Sequence, residues 1–216
     1  MTATQGRPQA REASETREVI LRIAIEAIEH EGESALRVSN VAAAAGTSVG
    51  TLYHHFGDRE GLVEAARAMQ FRRHVDGDIL AIQDAIEHAT SLDDFNHALE
   101  RLAGMTEGPE RREASWAKID VLGCARRRPR LAAALAQEQQ RLSSALAEVC
   151  VVAQRKGFID PAIEPRAMAV FVQAYAMGRV VGFLPGMEPL SEAAWTQMVV
   201  RMIRGLAPGA DVRSKL

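Results

Sequence analysis

Residues 36–56, LRVSNVAAAAGTSVGTLYHHF, constrain the fold more than any other part of the chain. Four consecutive alanines, residues 42–45, end on Gly46. Small side chains let a second helix approach closely and steeply. Gly46 supplies a residue that tolerates positive φ where two short helices turn. Ser48 suits the N-cap of the second helix, which the pattern places over Val49–Phe56. Leu52 and Phe56 are four residues apart, so they share one face and point inward. Val49, Gly50, Thr51, Tyr53, His54 and His55 are left for the outer faces. A helix entering a DNA groove needs slim residues at its N-terminal end, where it meets base edges. It needs hydrogen-bond donors on its flanks, where it meets phosphates. Gly50 and Thr51 suit the first task, and Tyr53, His54 and His55 suit the second.

Val41-Ala42, Ala45-Gly46, Ser48, Gly50, Leu52-Tyr53, His55-Phe56 and Leu62 carry a resemblance. In order and spacing this segment resembles the DNA-binding domain of the TetR family of bacterial transcriptional repressors. The motif covers about a quarter of the chain; the rest is similar only in length and all-helical layout. A generic Ala-rich hairpin does not account for the full run from Leu52 to Phe56. The resemblance implies DNA contacts from Arg37 and Ser39 at the start of the second helix. It implies others from Ser48, Val49, Gly50, Thr51, Tyr53, His54 and His55 around the third helix. Arg59 stands where the family carries a basic residue that clamps phosphate at a helix N-terminus. Two departures stand out. Arg37 and Val38 occupy positions where Thr is common, so a charge contact replaces a hydroxyl contact. Thr47 replaces an apolar residue.

The remaining sequence is read as all-α. Hydrophobic residues make up 47% and aromatics only 5% of 216 residues, and β-branched runs are few. The formal net charge of -2 argues against a bulk nucleic-acid binder. It leaves room for a local surface, because residues 37–57 contain no Asp or Glu. Cys124 and Cys150 have no metal-ligand spacing and read as reduced, buried thiols. No cofactor and no metal are expected. The chain shows no phosphate-binding Gly loop and no nucleophile elbow. Adjacent His54 and His55 face different ways and cannot easily chelate one ion. No signal-like segment and no long apolar run appear, so the expected location is cytoplasmic, away from membranes.

Along the chain, residues 1–13 are polar and read as a disordered arm. Residues 14–60 read as the helix-turn-helix domain. Its first helix is capped by Ser14, with Ile20, Ile23, Ala24, Ala27 and Ile28 turned inward. Residues 61–210 read as a helical effector-binding and dimerisation domain. Asp76-Gly77-Asp78 suggests a break in the fourth helix. Ser91 and Ser191 suit N-caps, and Pro109, Pro129 and Pro165 suit first helical positions. The basic run 126–128 reads as a solvated helix end.

The last two helices are apolar on more than one stripe and so call for a second partner. The resemblance implies a bundle with the same helices of a second copy. Ala174, Gly178, Gly182, Trp195, Met198 and Met202 are the candidate dimer residues. It also implies a small effector held among the middle helices, and release from DNA by movement of the fourth helix. Phe95, Met105, Trp116, Ile119, Asp120, Phe171 and Tyr175 are the candidate effector residues, with His97 as a further polar group. An apolar lining suits a hydrophobic or aromatic molecule. The expected function is a homodimeric repressor on a palindromic double-stranded DNA operator, released by that effector.

Overall fold

The computed structural model describes residues 6–104, 109–184, 186–188 and 191–208, and leaves aside the side chains of 6–12, 84–87, 103–104, 109–111 and 203. Among the described residues there are nine α-helices and no strand. They are α1 (Gly6–Glu31), α2 (Val38–Ala44), α3 (Val49–Phe56), α4 (Arg59–Glu87) and α5 (Leu92–Gly104). There follow α6 (Pro109–Ala125), α7 (Pro129–Arg155), α8 (Pro165–Gly178) and α9 (Glu192–Arg204). Short 3-10 turns cover Glu33–Ala35 and Arg179–Phe183.

Local chemistry explains most of these boundaries. Pro109, Pro129 and Pro165 each sit at the first position of a helix, where the missing N–H costs nothing. The Ser91 hydroxyl accepts from the Asp94 N–H at 3.0 Å, and the Asp94 carboxylate accepts from the Ser91 N–H at 3.0 Å. This reciprocal box starts α5. Hydrogen bonds from the Thr90 hydroxyl, and from Ser91, pull the Asp94 carboxyl down to about 2.

Three boundaries differ from the sequence expectation. α1 begins at Gly6, so residues 6–13 are helical where an arm capped off by Ser14 was expected. α4 runs unbroken through Asp76-Gly77-Asp78. One glycine costs a helix interior only about 1 kcal/mol, and the surrounding turns outweigh it. α8 stops at Gly178 and tightens into the 3-10 turn rather than continuing to Gly182.

The chain divides into two compact units. The first comprises Met1–Arg73 and Cys124–Leu135. Its core packs Ile20, Leu21, Ala24, Leu36, Leu52 and Leu62, all at most 2% exposed. α1 lies against both α2 and α3. The second unit comprises His74–Gly123 and Ala136–Leu216. Its apolar cluster packs Phe95, Cys150, Ala153, Phe158 and Ile159, and α5 packs on α9. The division falls at residues 73 and 74 rather than at 60, so the first half of α4 belongs with the helix-turn-helix.

Candidate nucleic-acid interface and effector cavity

The corner between α2 and α3 is built from backbone. Gly46 adopts φ +64°, its N–H donates to the Ala43 carbonyl at 3.1 Å, and the Thr47 N–H donates to the Ala42 carbonyl at 3.0 Å. This pair of bonds satisfies the last carbonyls of α2 and needs a left-handed residue, so glycine is favoured. Ser48 then caps α3. Its hydroxyl accepts from the Thr51 N–H at 3.0 Å and lies 2.9 Å from the Thr51 hydroxyl. Leu52 is fully buried, which fixes the rotation of α3 and is worth about 2 kcal/mol of burial.

With Leu52 inward, the opposite face of α3 is open. Ser48, Val49, Gly50, Tyr53 and His54 are exposed, and Thr51 and His55 are half-buried. Tyr53 is 43% exposed, with its ring at the surface. The His54 and His55 rings meet edge-on at 5.8 Å, and His55 lies 6.0 Å from Phe56. Arg37 and Ser39 are exposed at the start of α2, while Val38 is buried. The Arg37 guanidinium donates to the Ser34 carbonyl at 2.9 Å.

Arg59 is placed differently from the phosphate clamp suggested by its position. Its Nε donates to the Leu36 carbonyl at 3.2 Å, and a second nitrogen donates to the Glu33 carbonyl at 2.5 Å. A third contact, 2.9 Å, goes to the Glu60 carboxylate. Two of its five N–H donors are thereby spent on the turn that precedes α2, and a third on its exposed neighbour Glu60. The Glu33 carbonyl also accepts from the Leu36 N–H at 3.3 Å, and the Leu36 carbonyl from the Arg37 guanidinium at 3.5 Å, so Arg59 adds a second donor to each.

Sequence reasoning missed the ion cluster on that turn. Arg128 pairs with the Glu33 carboxylate and lies 3.3 Å from Glu60, and Arg67 lies 3.6 Å from Glu33. The Arg128 hydrogen bond holds the Glu33 carboxyl below its ordinary range. The run 126–128 was read as a solvated helix end, but Arg128 is three-quarters buried in this pair. The signal was invisible because its partner stands 95 residues away. Gly61 was missed as well. A Cβ there would lie 2.0 Å from the Phe56 carbonyl oxygen, so α4 starts against the end of α3 only because residue 61 has no side chain.

The second unit holds a cavity of about 490 Å³. Phe95, Phe171 and Tyr175 line it, together with Ile82, Leu146 and Met168. Trp116 and Ile119 are half-buried but do not line it, and Asp120 is exposed. His97 is also exposed, beside Glu100 at 3.4 Å. The three departures on α6 share one cause: the face of α6 that meets the cavity carries Ala114, Ser115 and Lys118 instead. On α5 the cavity is met by Phe95, Leu99 and Leu102 rather than His97. Met105 lies outside the described residues. Cys150 lines the wall, and burial pushes its thiol up. Among the described residues no group of three or more His, Cys, Asp or Glu is placed to hold a metal ion. No described helix is long and apolar enough to cross a membrane.

On α8 and α9, Ala174, Gly178, Met198 and Met202 are exposed, and Gly182, in the 3-10 turn after α8, is half-buried. Trp195 departs from the expected outward placement. Its ring stacks on Tyr175 at 5.4 Å, with the Arg179 guanidinium 5.6 Å from it. Val170 and Val181 are likewise exposed, at 54% and 58%, as is Met198 at 57%.

Comparison with known proteins bears on these two sites. The family model for bacterial regulatory proteins, tetR family, matches residues 20–66. No curated protein matches the chain. Among solved structures, a protein from Rhodococcus sp. described as a TetR-family transcriptional regulator is 31% identical. The match covers 90% of this chain and 99% of that one, with a TM-score of 0.65. A protein from Mesorhizobium loti with the same description is 18% identical over 90% of this chain and 96% of its own, with a TM-score of 0.67. A transcriptional regulator from Saccharomonospora viridis, solved in complex with choline, is 20% identical over 88% and 96% of the two chains, with a TM-score of 0.61. The last two are similar in fold.

Proposed function

Since the chain belongs to the TetR family of bacterial regulatory proteins, whose members are DNA-binding transcription regulators rather than enzymes, we propose that it is a ligand-responsive repressor. It binds a near-palindromic operator as a homodimer and lets go when a small apolar molecule fills its cavity. The observation that carries this reading is the open face of α3, with Val49, Gly50, Tyr53 and His54 exposed opposite a fully buried Leu52. Slim residues lead and donors flank, which is the arrangement a groove-reading helix needs.

Two further observations support the rest. The exposed apolar residues of α8 and α9 suit a second copy of the same helices. A twofold dimer sets its reading helices about 34–36 Å apart, one turn of DNA. The apolar cavity, and the choline held by one structural neighbour, suit control by a small molecule. Release is a population shift: the ligand favours the conformer whose helix spacing misfits successive grooves.

The test is mobility of DNA fragments flanking the protein's own gene. The expected result is a shifted band on one fragment, with affinity falling by a factor of about 10³ or more between 50 and 200 mM salt. Absent or salt-insensitive binding to every fragment overturns the reading in favour of a helical adaptor that kept the fold without the DNA contact.

A further inference from the structure

The cavity wall changes character along its length. Arg141 on α7 pairs with Asp76 on α4 at 2.5 Å, and Lys156, just past α7, donates to the Ala89 carbonyl at 2.8 Å. These ties run α4 and α7 in the same direction. α8 runs the opposite way. Gln173 bonds to Gln139 and Ser143 on α7, while Met168 packs into the cluster that holds Cys150. The lining therefore sorts into two ends. Asp78, Lys118, Leu142, Gln173 and Tyr175 stand at one, and Phe95, Cys150, Ile159 and Met168 stand at the other. Leu142 and Cys150 are eight residues apart on α7, about 12 Å along its axis.

The polar end favours an anion. Lys118 and Asp78 form an ion pair, with side chains only 19% and 21% exposed. An ammonium has three N–H donors, and Asp78 takes one. The Gln173 amide is committed to Gln139, Ser143 and the Ala169 carbonyl. A ligand cation held by Asp78 would draw that carboxylate away and strand the Lys118 ammonium against an apolar wall, which is costly. A ligand carboxylate meets the remaining ammonium donors without stranding the Lys118 charge, at the cost of some repulsion from Asp78. Arg201, the other cation of the lining, is exposed and stands near the Ile159 end, because the carbonyl of Leu206, five residues on, accepts from the Asp160 N–H at 2.9 Å. At the polar end the charge is the Lys118–Asp78 pair alone.

We propose that the cavity takes an apolar carboxylic acid, its carboxylate on the Lys118 ammonium beside Asp78 and its hydrocarbon body laid towards Phe95 and Met168. This rests on the effector role proposed above and names the effector's chemical class. It also supplies a route to release. The bound carboxylate sets a second negative charge beside Asp78 and loosens the tie between α4 and α6, the helix that carries Lys118.

Calorimetric titration of the full-length protein tests this with three probes that share an octyl-type tail and differ in the head: octanoate, octanamide and octyltrimethylammonium. Octanoate is expected to bind about tenfold or more tighter than the other two. Lys118→Met should erase that preference and leave octanamide binding in place. Asp78→Asn removes the neighbouring negative charge and should tighten octanoate. Equal binding of octanoate and octanamide to the unchanged protein overturns the proposal, as does a preference that survives Lys118→Met. If octanamide and the ammonium bind and weaken DNA affinity without any octanoate preference, only the carboxylate assignment falls. If none of the three binds, the effector reading falls with it.

Discussion

In the unit that carries α3, Leu52, Leu62 and Val63 are fully buried, and a methyl group on Gly61 would lie 2.0 Å from a backbone oxygen. In the effector unit, Leu142 and Leu146 line a cavity of about 490 Å³, and Val181 and Met198 stand more than half exposed. The core cluster of the first unit is built from that unit's own residues. The second has open space and an open surface, and its shape answers to molecules outside the chain. Well-packed interiors transmit a change of a single methyl group, whereas a hollow wall absorbs it.

Two glycines of α4 give the sharpest way to break this contrast. Gly61→Ala drives a Cβ into the Phe56 carbonyl and is expected to cost about 3 kcal/mol or more, with loss of DNA binding. Gly77→Ala, on the same helix but in the effector unit, meets no atom within 4 Å and should stabilise by about 1 kcal/mol. Urea denaturation of both variants decides it, and shifts in the same direction would contradict the contrast. Leu52→Ala should come next, at about 2–5 kcal/mol by the same measurement.

The ion cluster offers a pH test. Glu33 is held ionised by Arg128, so its folded carboxyl titrates below its unfolded value of about 4.5. A lowered carboxyl contributes stability that is present above the unfolded value and lost as pH falls through the folded one. Glu33→Gln should therefore destabilise by about 2 kcal/mol at pH 7 and by less at pH 3. A thermal melt showing equal losses at both pH values would remove Glu33 from the account.

The smallest effect is the one that sorts the faces of α3. Tyr53→Phe should weaken DNA binding about fivefold on every sequence, because a phosphate contact carries no sequence information. Thr51→Ala and Ser39→Ala should alter base preference instead. Fluorescence anisotropy on a panel of single-base operator variants distinguishes the two patterns, and the reverse assignment would show the faces to be misread.

How legible each unit was in the sequence follows from the same contrast. The α2–α3 corner could be read because its constraints are local: Gly46, Ser48 and Leu52 act on residues within one or two turns. Arg59 and Arg128 could not, since their partners at residues 33 and 36 are 23 to 95 positions away. Gly77 misled because helix-breaking tendency is weak beside the turns around it. In the effector unit, Phe95, Phe171 and Tyr175 were found because large apolar side chains dominate any cavity wall. Trp116, Ile119 and Asp120 fell elsewhere because α6 alternates apolar and charged residues without a clear stripe, so its inner face could not be chosen. Trp195 turned inward onto Tyr175 for a reason no helical period reveals, the presence of a stacking partner on a different helix.

Both units come together in the claim that two copies read one site. Sedimentation velocity on the protein with a duplex containing its shifted flanking fragment tests that claim most directly. The account predicts two chains per duplex, and a folded monomer for Met198→Glu whose DNA affinity is lower by about a hundredfold or more. A wild-type monomer bound one per duplex, or a monomeric Met198→Glu with undiminished affinity, would contradict it.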